Sequence, residues 1–187
     1  MSNSNTSNLM TYFDQLKLAM NWLALQQDII FVGQAVSVPG TAMFNTLNEI
    51  SSDLRLELPV FEDTQLGMSL GMALAGRRVV SIFPRWNFLL CATNQLVNHV
   101  DKYKLMSQGL VSPSLIIRTS VGSERPLFPG HQHIGNFSES FRTMLKTVDI
   151  VELHNPEDIF PAYQHAYSRT DGRSTLLVEY GDYYNEK

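Results

Sequence analysis

Leu58-Pro-Val-Phe-Glu62-Asp-Thr-Gln-Leu-Gly67-Met-Ser-Leu-Gly71-Met-Ala-Leu-Ala-Gly76 is the stretch on which the reading of this chain turns. A short apolar run ends at an acidic pair, and a helix rich in small residues begins at once. Asp63 or Thr64 can cap that helix by accepting a hydrogen bond from its free backbone N–H groups. Gly67, Gly71, Ala75 and Gly76 give it a face that a neighbour can approach closely. Gly67 and Gly71 each cost about 1 kcal/mol relative to alanine inside a helix, so packing or function must offset them. A strand that delivers a carboxylate beside a helix N-terminus marks the edge where open α/β sheets bind ligands. Glu62 is therefore the first candidate for chemistry. Its bland alternative is a surface acid that stabilises the helix dipole.

The flanking sequence repeats the same alternation. Apolar residues from Thr11 to Gln27 recur at helical spacing, and Ile29–Gly33 is a continuous apolar run that reads as a buried strand. A Gly/Pro-marked loop, Ser37 to Thr41, leads to a helix over Met43–Ile50, a strand over Arg55–Phe61 and the glycine-bearing helix over Thr64–Leu74. Arg78–Phe83 is the next strand. The longest helix is expected from Phe88 to Ser107, with Leu89, Leu90, Ala92, Leu96, Val97, Val100 and Tyr103 facing inward and Gly109 stopping it. Ser114–Ser120 reads as a strand, followed by a long loop, Val121 to Asn136, of the kind that tends to be functional or mobile. A helix over Phe137–Lys146 and a strand over Asp149–Leu153 come next. Asn155 (N-cap), Pro156 and two acids open a further helix, which Pro161 interrupts or delays. Thr175–Tyr180 is the last strand, and a polar tail ends the chain. The expected fold is α/β: a doubly wound, mostly parallel sheet with helices on both faces.

Composition bounds the function. A chain of 187 residues with 44% hydrophobic and 17% charged residues makes one globular domain with a substantial core. Residues 1–10 are expected to be a disordered lead and 11–187 the domain. A net charge of −4 argues against nonspecific nucleic-acid binding. The single cysteine, Cys91, excludes an internal disulfide and, inside an apolar helix, reads as packing. No signal peptide and no apolar run near the ~18 residues of a membrane span is present, so a cytoplasmic protein is expected.

Few other residues suggest chemistry. His131 and His133 share a loop and could act on protons near neutrality; no third ligand lies nearby in sequence, so no metal site is expected. His99, His154 and His165 read as structural. Trp86 and Phe88 flank a strand-to-helix turn, as stacking platforms or as core. No Walker loop, GxGxxG, CxxC or Ser/His/Asp order occurs.

Taken in order, Leu58–Gly67, Gly71–Gly76, Trp86-Asn87-Phe88, Asn94-Gln95-Leu-Val-Asn98 and Gln132-His133 resemble the pyrimidine-binding domain of thiamine-diphosphate enzymes. The likeness is greatest to the beta subunit of the decarboxylating component of 2-oxo acid dehydrogenases, and it spans about Thr11 to Tyr180. It implies that Glu62 hydrogen-bonds the pyrimidine ring nitrogen of the cofactor, and that Phe88 stacks on that ring with Trp86 and Asn87 beside it. It implies further that His133 handles protons of the substrate-derived intermediate, and that Gly67 and Gly71 permit close approach across a subunit interface. The GDG…N motif of the diphosphate-binding domain and the C-terminal domain of those beta subunits are absent from this sequence. The resemblance therefore implies a second, alpha-like chain that holds Mg2+ and the diphosphate, in a heterotetramer, and a small carbonyl substrate undergoing 2-oxo acid decarboxylation or ketol transfer. Ile134-Gly135 replaces the polar pair expected after the histidine. A non-catalytic regulatory or scaffolding subunit of the same fold is the alternative.

Overall fold

The computed structural model describes residues 10–185. Apart from Met10, the disordered lead expected over residues 1–10 lies outside the described residues. Six strands, β1 (Ile29–Gly33), β2 (Arg55–Glu57), β3 (Arg78–Ile82), β4 (Leu115–Val121), β5 (Val148–Glu152) and β6 (Ser174–Tyr180), form one sheet in the order β2-β1-β3-β4-β6-β5. Every pairing is parallel, so the sheet is wholly rather than mostly so. Parallel strands need crossovers that cover both faces, and side chains alternate accordingly. Phe31, Val80, Ile116 and Leu177 enter one core; Val32, Val79, Ile117 and Leu176 enter the other.

The first core lies under α1 (Tyr12–Ala24) and α7 (Pro156–Ser168). In α1, Thr11 and Asp14 form a capping box, and Tyr12, Leu16, Ala19, Met20 and Leu23 make one buried stripe at helical spacing. α7 starts at Pro156, whose missing N–H is no loss in a first turn, and runs on through the exposed Pro161. Asn155 makes no side-chain cap bond to the backbone; its amide donates instead to Asp158. The second core lies under α3 (Glu62–Leu74), the segments after β3, and α6 (Ser138–Met144).

Four expected elements differ. β2 ends at Glu57 instead of Phe61: Leu58 donates one further bond to Gly33, and Pro59 cannot donate any. α3 begins at Glu62, and neither Asp63 nor Thr64 caps it; Phe61 is the N-cap with no side-chain bond, and Asp63 accepts from the Gln95 amide at 3.3 Å. The long helix after β3 is a chain of different windings: α4 (Trp86–Leu89), a 3-10 turn (Leu90–Ala92), a π-helix (Gln95–Val100) and α5 (Tyr103–Met106). Leu89, Ala92, Leu96 and Val100 still face inward, but the wider winding also turns Asp101 into the protein, its N–H bonded five residues back to Leu96. Cys91 is exposed, not packed, because it lies on the outer side of the 3-10 turn. α2 (Ala42–Asn45) is shorter than the expected Met43–Ile50, and turns carry the chain on from it.

Asp101 Oδ1 accepts the N–H groups of Lys146 and Thr147, each at 2.6 Å, and Oδ2 meets Lys102 at 2.5 Å. Desolvation works to raise its pKa, but the Lys102 bond and the two backbone donors outweigh it and hold the carboxyl below the ordinary aspartate range. A depressed carboxylate stabilises the fold above its unfolded pKa of about 3.9, and that contribution disappears as pH falls through the lower folded value. Asp101→Asn is expected to flatten the acid limb of a stability-versus-pH curve below about pH 4, as read by denaturant titration at several pH values.

Beneath the carboxyl edge, on the α1/α7 face, Arg118 of β4 and Glu179 of β6 form a fully buried, two-pronged ion pair at 2.6 and 3.0 Å. Thr46 accepts from the same guanidinium, and Tyr163 and Tyr184 donate to the same carboxylate at 2.6 and 2.5 Å. Burial, then the charge of Glu179, raises the pKa of both phenols, which stay protonated as donors. The expected polar tail is thus partly structural: Gly181–Tyr184 is a 3-10 turn that brings Tyr184 to this carboxylate.

Candidate functional site

The strand order reverses at β1, with β2 on one side and β3 on the other, and a cavity of about 580 Å3 opens beyond the carboxyl ends of β1, β3, β4 and β6. Such switch points leave a crevice because neighbouring connections depart to opposite faces. Gln34 follows β1, Arg85 and Phe88 follow β3, Ser120 ends β4, and Tyr184 follows β6; all five line the cavity.

Gly33 lets the β1 edge be built this closely. Its φ is +147°, and a Cβ there would lie 2.2 Å from the Ile82 carbonyl oxygen and 2.8 Å from the Gln65 amide. Gln65, from the buried face of α3, uses that space to donate to Ile82 O at 2.8 Å and to Ser81 at 3.3 Å. Gly33→Ala is expected to destabilise the protein by about 1–3 kcal/mol, measured as a shifted urea midpoint at constant slope. After β1, the Glu57 carboxylate accepts the N–H groups of Ala35, Val36 and Ser37 at 2.9, 2.8 and 2.6 Å and so fixes the loop on one cavity wall. Ser120 donates to Pro84 O at 2.8 Å and ties the ends of β3 and β4 together.

Glu62 is buried, with 8% of its surface exposed, and its Oε1 accepts from the Gln34 amide at 3.1 Å. Gln34 lines the cavity, so the carboxylate connects to it through that amide. Phe88 is half-buried in the cavity wall and makes an edge-to-face contact with His133, ring centroids 5.9 Å apart. The His133 Nδ1 is buried without a hydrogen-bond partner in the protein. Two close approaches hold this histidine loop. A Cβ on Gly122 would lie 1.8 Å from the His133 carbonyl oxygen, and one on Gly135 would lie 2.5 Å from the Phe137 ring.

Trp86 does not belong to this group. It is fully buried in the second core, 5.0 Å from the Phe141 ring and 6.2 Å from that of Phe137, so its faces are not open to a ligand. Trp86 is reassigned from cofactor platform to core. Asn87 is half-buried, near Gly135, with its Oδ1 unpartnered, and it does not line the cavity. His131 stands apart in an edge contact with Phe128 at 5.2 Å; His154 stacks obliquely on Tyr180 at 4.7 Å; His99 and His165 are exposed. Gly67 faces the Gln95 side chain of its own chain, and Gly71 is open. Among the described residues no group of three or more His, Cys, Asp or Glu could hold a metal ion, and no helix is long and apolar enough to cross a membrane.

A second cavity, of about 400 Å3, lies at the opposite edge of the sheet beside Arg77, Arg78 and Arg169. Arg77 donates to the carbonyls of Asp28 and Ile29, Arg169 is paired with Asp149 and Asp171, and Arg78 lies over the Tyr167 ring. Its cations hold strand beginnings and helix ends together.

The all-parallel sheet and this crevice define the class of protein: the fold is that of the transketolase-like pyrimidine domain. A solved structure described as a split gene transketolase, inactive beta4 tetramer, superposes with a TM-score of 0.69 at 9% identity, covering 90% of this chain and 51% of that one. A putative thiamin diphosphate-dependent enzyme isolated from Mycobacterium smegmatis superposes at 0.64 with 17% identity, covering 92% and 31%. By sequence the chain is related to the beta subunits of 2-oxo acid dehydrogenase E1 components. It is 30% identical over 181 residues to the pyruvate dehydrogenase E1 component subunit beta of Gracilaria tenuistipitata var. liui, covering 94% of this chain and 54% of that protein. It is 24% identical over 155 residues to the 3-methyl-2-oxobutanoate dehydrogenase subunit beta of Mycobacterium tuberculosis, covering 80% and 43%. The chain thus spans about half the length of these relatives. No family model matches it.

Proposed function

We propose that this chain is the pyrimidine-binding, beta-like subunit of a two-chain thiamine-diphosphate enzyme that makes or cleaves a carbon–carbon bond next to a carbonyl. The observation that carries the reading is the buried Glu62 carboxylate, joined through Gln34 to a cavity that Phe88 lines, with His133, its Nδ1 unpartnered, in edge contact with the Phe88 ring. Thiamine diphosphate, when bound, supplies a stabilised carbanion, which no amino-acid side chain provides. The residues present fit its pyrimidine end: an acid to share a proton, an aromatic ring to stack, and an imidazole.

In this reading Glu62 holds a proton at Oε1 or Oε2 toward the heterocycle, in a site where burial strengthens the bond. Phe88 orients the ring and keeps water from one of its faces. His133, braced by Gly122 and Phe88, gives or takes a proton on the substrate side. Mg2+ and the diphosphate belong to an alpha-like partner, in keeping with relatives that are named as subunits. Residues 11–187 act as one domain of a heterotetramer, on a small carbonyl substrate, in the cytoplasm.

The test is to mix the full chain with a candidate partner carrying a GDG…N motif and titrate thiamine diphosphate and Mg2+ by calorimetry while following 2-oxo acid decarboxylation. Cofactor binding that needs both chains supports the reading; its absence with every such partner from the same genome sinks it. Binding without turnover would favour the regulatory alternative. Phe88→Ala should weaken cofactor binding by the loss of one stacking contact, about 1–3 kcal/mol or roughly 5- to 150-fold in Kd, in the same calorimetry.

A further inference from the structure

Arg85 is the residue of the cavity that neither its packing nor the cofactor explains. It sits between β3 and α4, half-buried, and lines the cavity three residues before Phe88. Its backbone carbonyl accepts the N–H groups of Phe88 and Leu89, so the start of α4 is fixed, but among the described residues no hydrogen bond or ion pair engages its guanidinium. A half-buried guanidinium that no acid among the described residues engages keeps its charge and its N–H donors available to an anion that enters the cavity. The acids nearby are committed elsewhere: Glu62 to Gln34, Glu57 to the backbone of 35–37, and Asp182 to Ser123 and the N–H groups of Glu124 and Arg125. Among the described residues no Asp or Glu lines the cavity, whereas Arg85 does, in a chain whose net charge is −4. A basic pocket on an acidic protein selects anions against the field of the rest of the surface. Thr41 and Ser120, neutral and polar, also line the cavity and suit the oxygens of a carbonyl compound.

We infer that Arg85 binds the anionic group of the substrate, a carboxylate or a phosphate, and so sets which carbonyl compounds the site accepts. Its planar fork matches two oxygens of either group, a geometry that lysine does not reproduce. Phe88 lies one helical turn further along, so the anion is held at the near end of the cavity while the stacked ring orients the reacting end. This assignment rests on the proposed function for its enzymatic meaning, but not for its binding chemistry.

The experiment is a titration of the 15N-labelled full chain with inorganic phosphate and, separately, with pyruvate, at constant ionic strength and against a chloride control. Wild type is expected to show saturable shifts in residues around the cavity, and the tighter of the two probes names the preferred anion. Arg85→Gln is expected to weaken that binding at least tenfold, with Arg85→Lys in between. Equal affinity in wild type and Arg85→Gln, or no saturable shifts, overturns the assignment. In the reconstituted pair, Arg85→Gln should raise KM for an anionic carbonyl substrate at least tenfold while the Kd for thiamine diphosphate stays unchanged. A parallel loss of cofactor affinity would make Arg85 a cofactor residue and also overturn it. If the chain binds the anion through Arg85 but no pair ever binds the cofactor, the proposed function fails and the anion site stands.

Discussion

Glu62→Gln, in the chain paired with its diphosphate-binding partner, is expected to lower thiamine-diphosphate-dependent turnover by about 10²- to 10⁴-fold, the usual worth of a positioned proton-transfer group. Glutamine has the same size and can still meet the Gln34 amide through its carbonyl oxygen, so α3 should start at the same residue and the cavity should keep its shape. What it loses is the ability to give up and recover a proton. Subunit association, by analytical ultracentrifugation, and thermal stability should therefore change little while kcat collapses. Full activity in the variant would remove Glu62 from the mechanism. Loss of association together with activity would instead point to the scaffolding role.

The largest effect on folding is expected at Glu179. Glu179→Gln leaves Arg118 fully buried beside a neutral amide, and breaking a buried pair in this way costs about 3–5 kcal/mol. That is a large part of the total stability of about 5–15 kcal/mol typical of a domain. The carboxylate accepts four bonds, two from Arg118 and one each from Tyr163 and Tyr184. Removing its charge therefore weakens every one of them. Replacing both partners, as in Arg118→Met with Glu179→Leu, removes the stranded cation and should recover part of the loss despite the phenols left without an acceptor. Urea unfolding of the two single variants and the double variant measures the coupling. A double variant as unstable as the sum of the singles would show that the pair acts independently rather than as one unit.

Much of the architecture is legible in the chain because parallel strands buried on both faces must be short apolar runs. Ile29–Gly33 and Leu115–Val121 announce themselves in this way, and so does the helix opened by Asn155-Pro156. The region from Trp86 to Met106 is not legible in detail. Apolar spacing of three and four fits α, 3-10 and π windings alike, and the choice is made by Asp101 reaching the backbone of Lys146 and Thr147, a contact 45 residues away in sequence. For the same reason Trp86 and Phe88 look equivalent in sequence, although one is sealed against Phe141 and the other lines the cavity. Gln34, Glu57 and Arg85 carry no motif. Their importance comes from where β1, β2 and β3 stop, which only the assembled sheet determines.

Tyr184 joins two things that are usually separate: its hydroxyl ends on Glu179 in the interior, and the residue is also one of those that line the cavity. Robustness and selectivity therefore share a hinge pin in this protein. Variants selected only for heat resistance around that interior carboxylate will also reshape what the crevice admits, and a screen that tracks melting alone would miss the change.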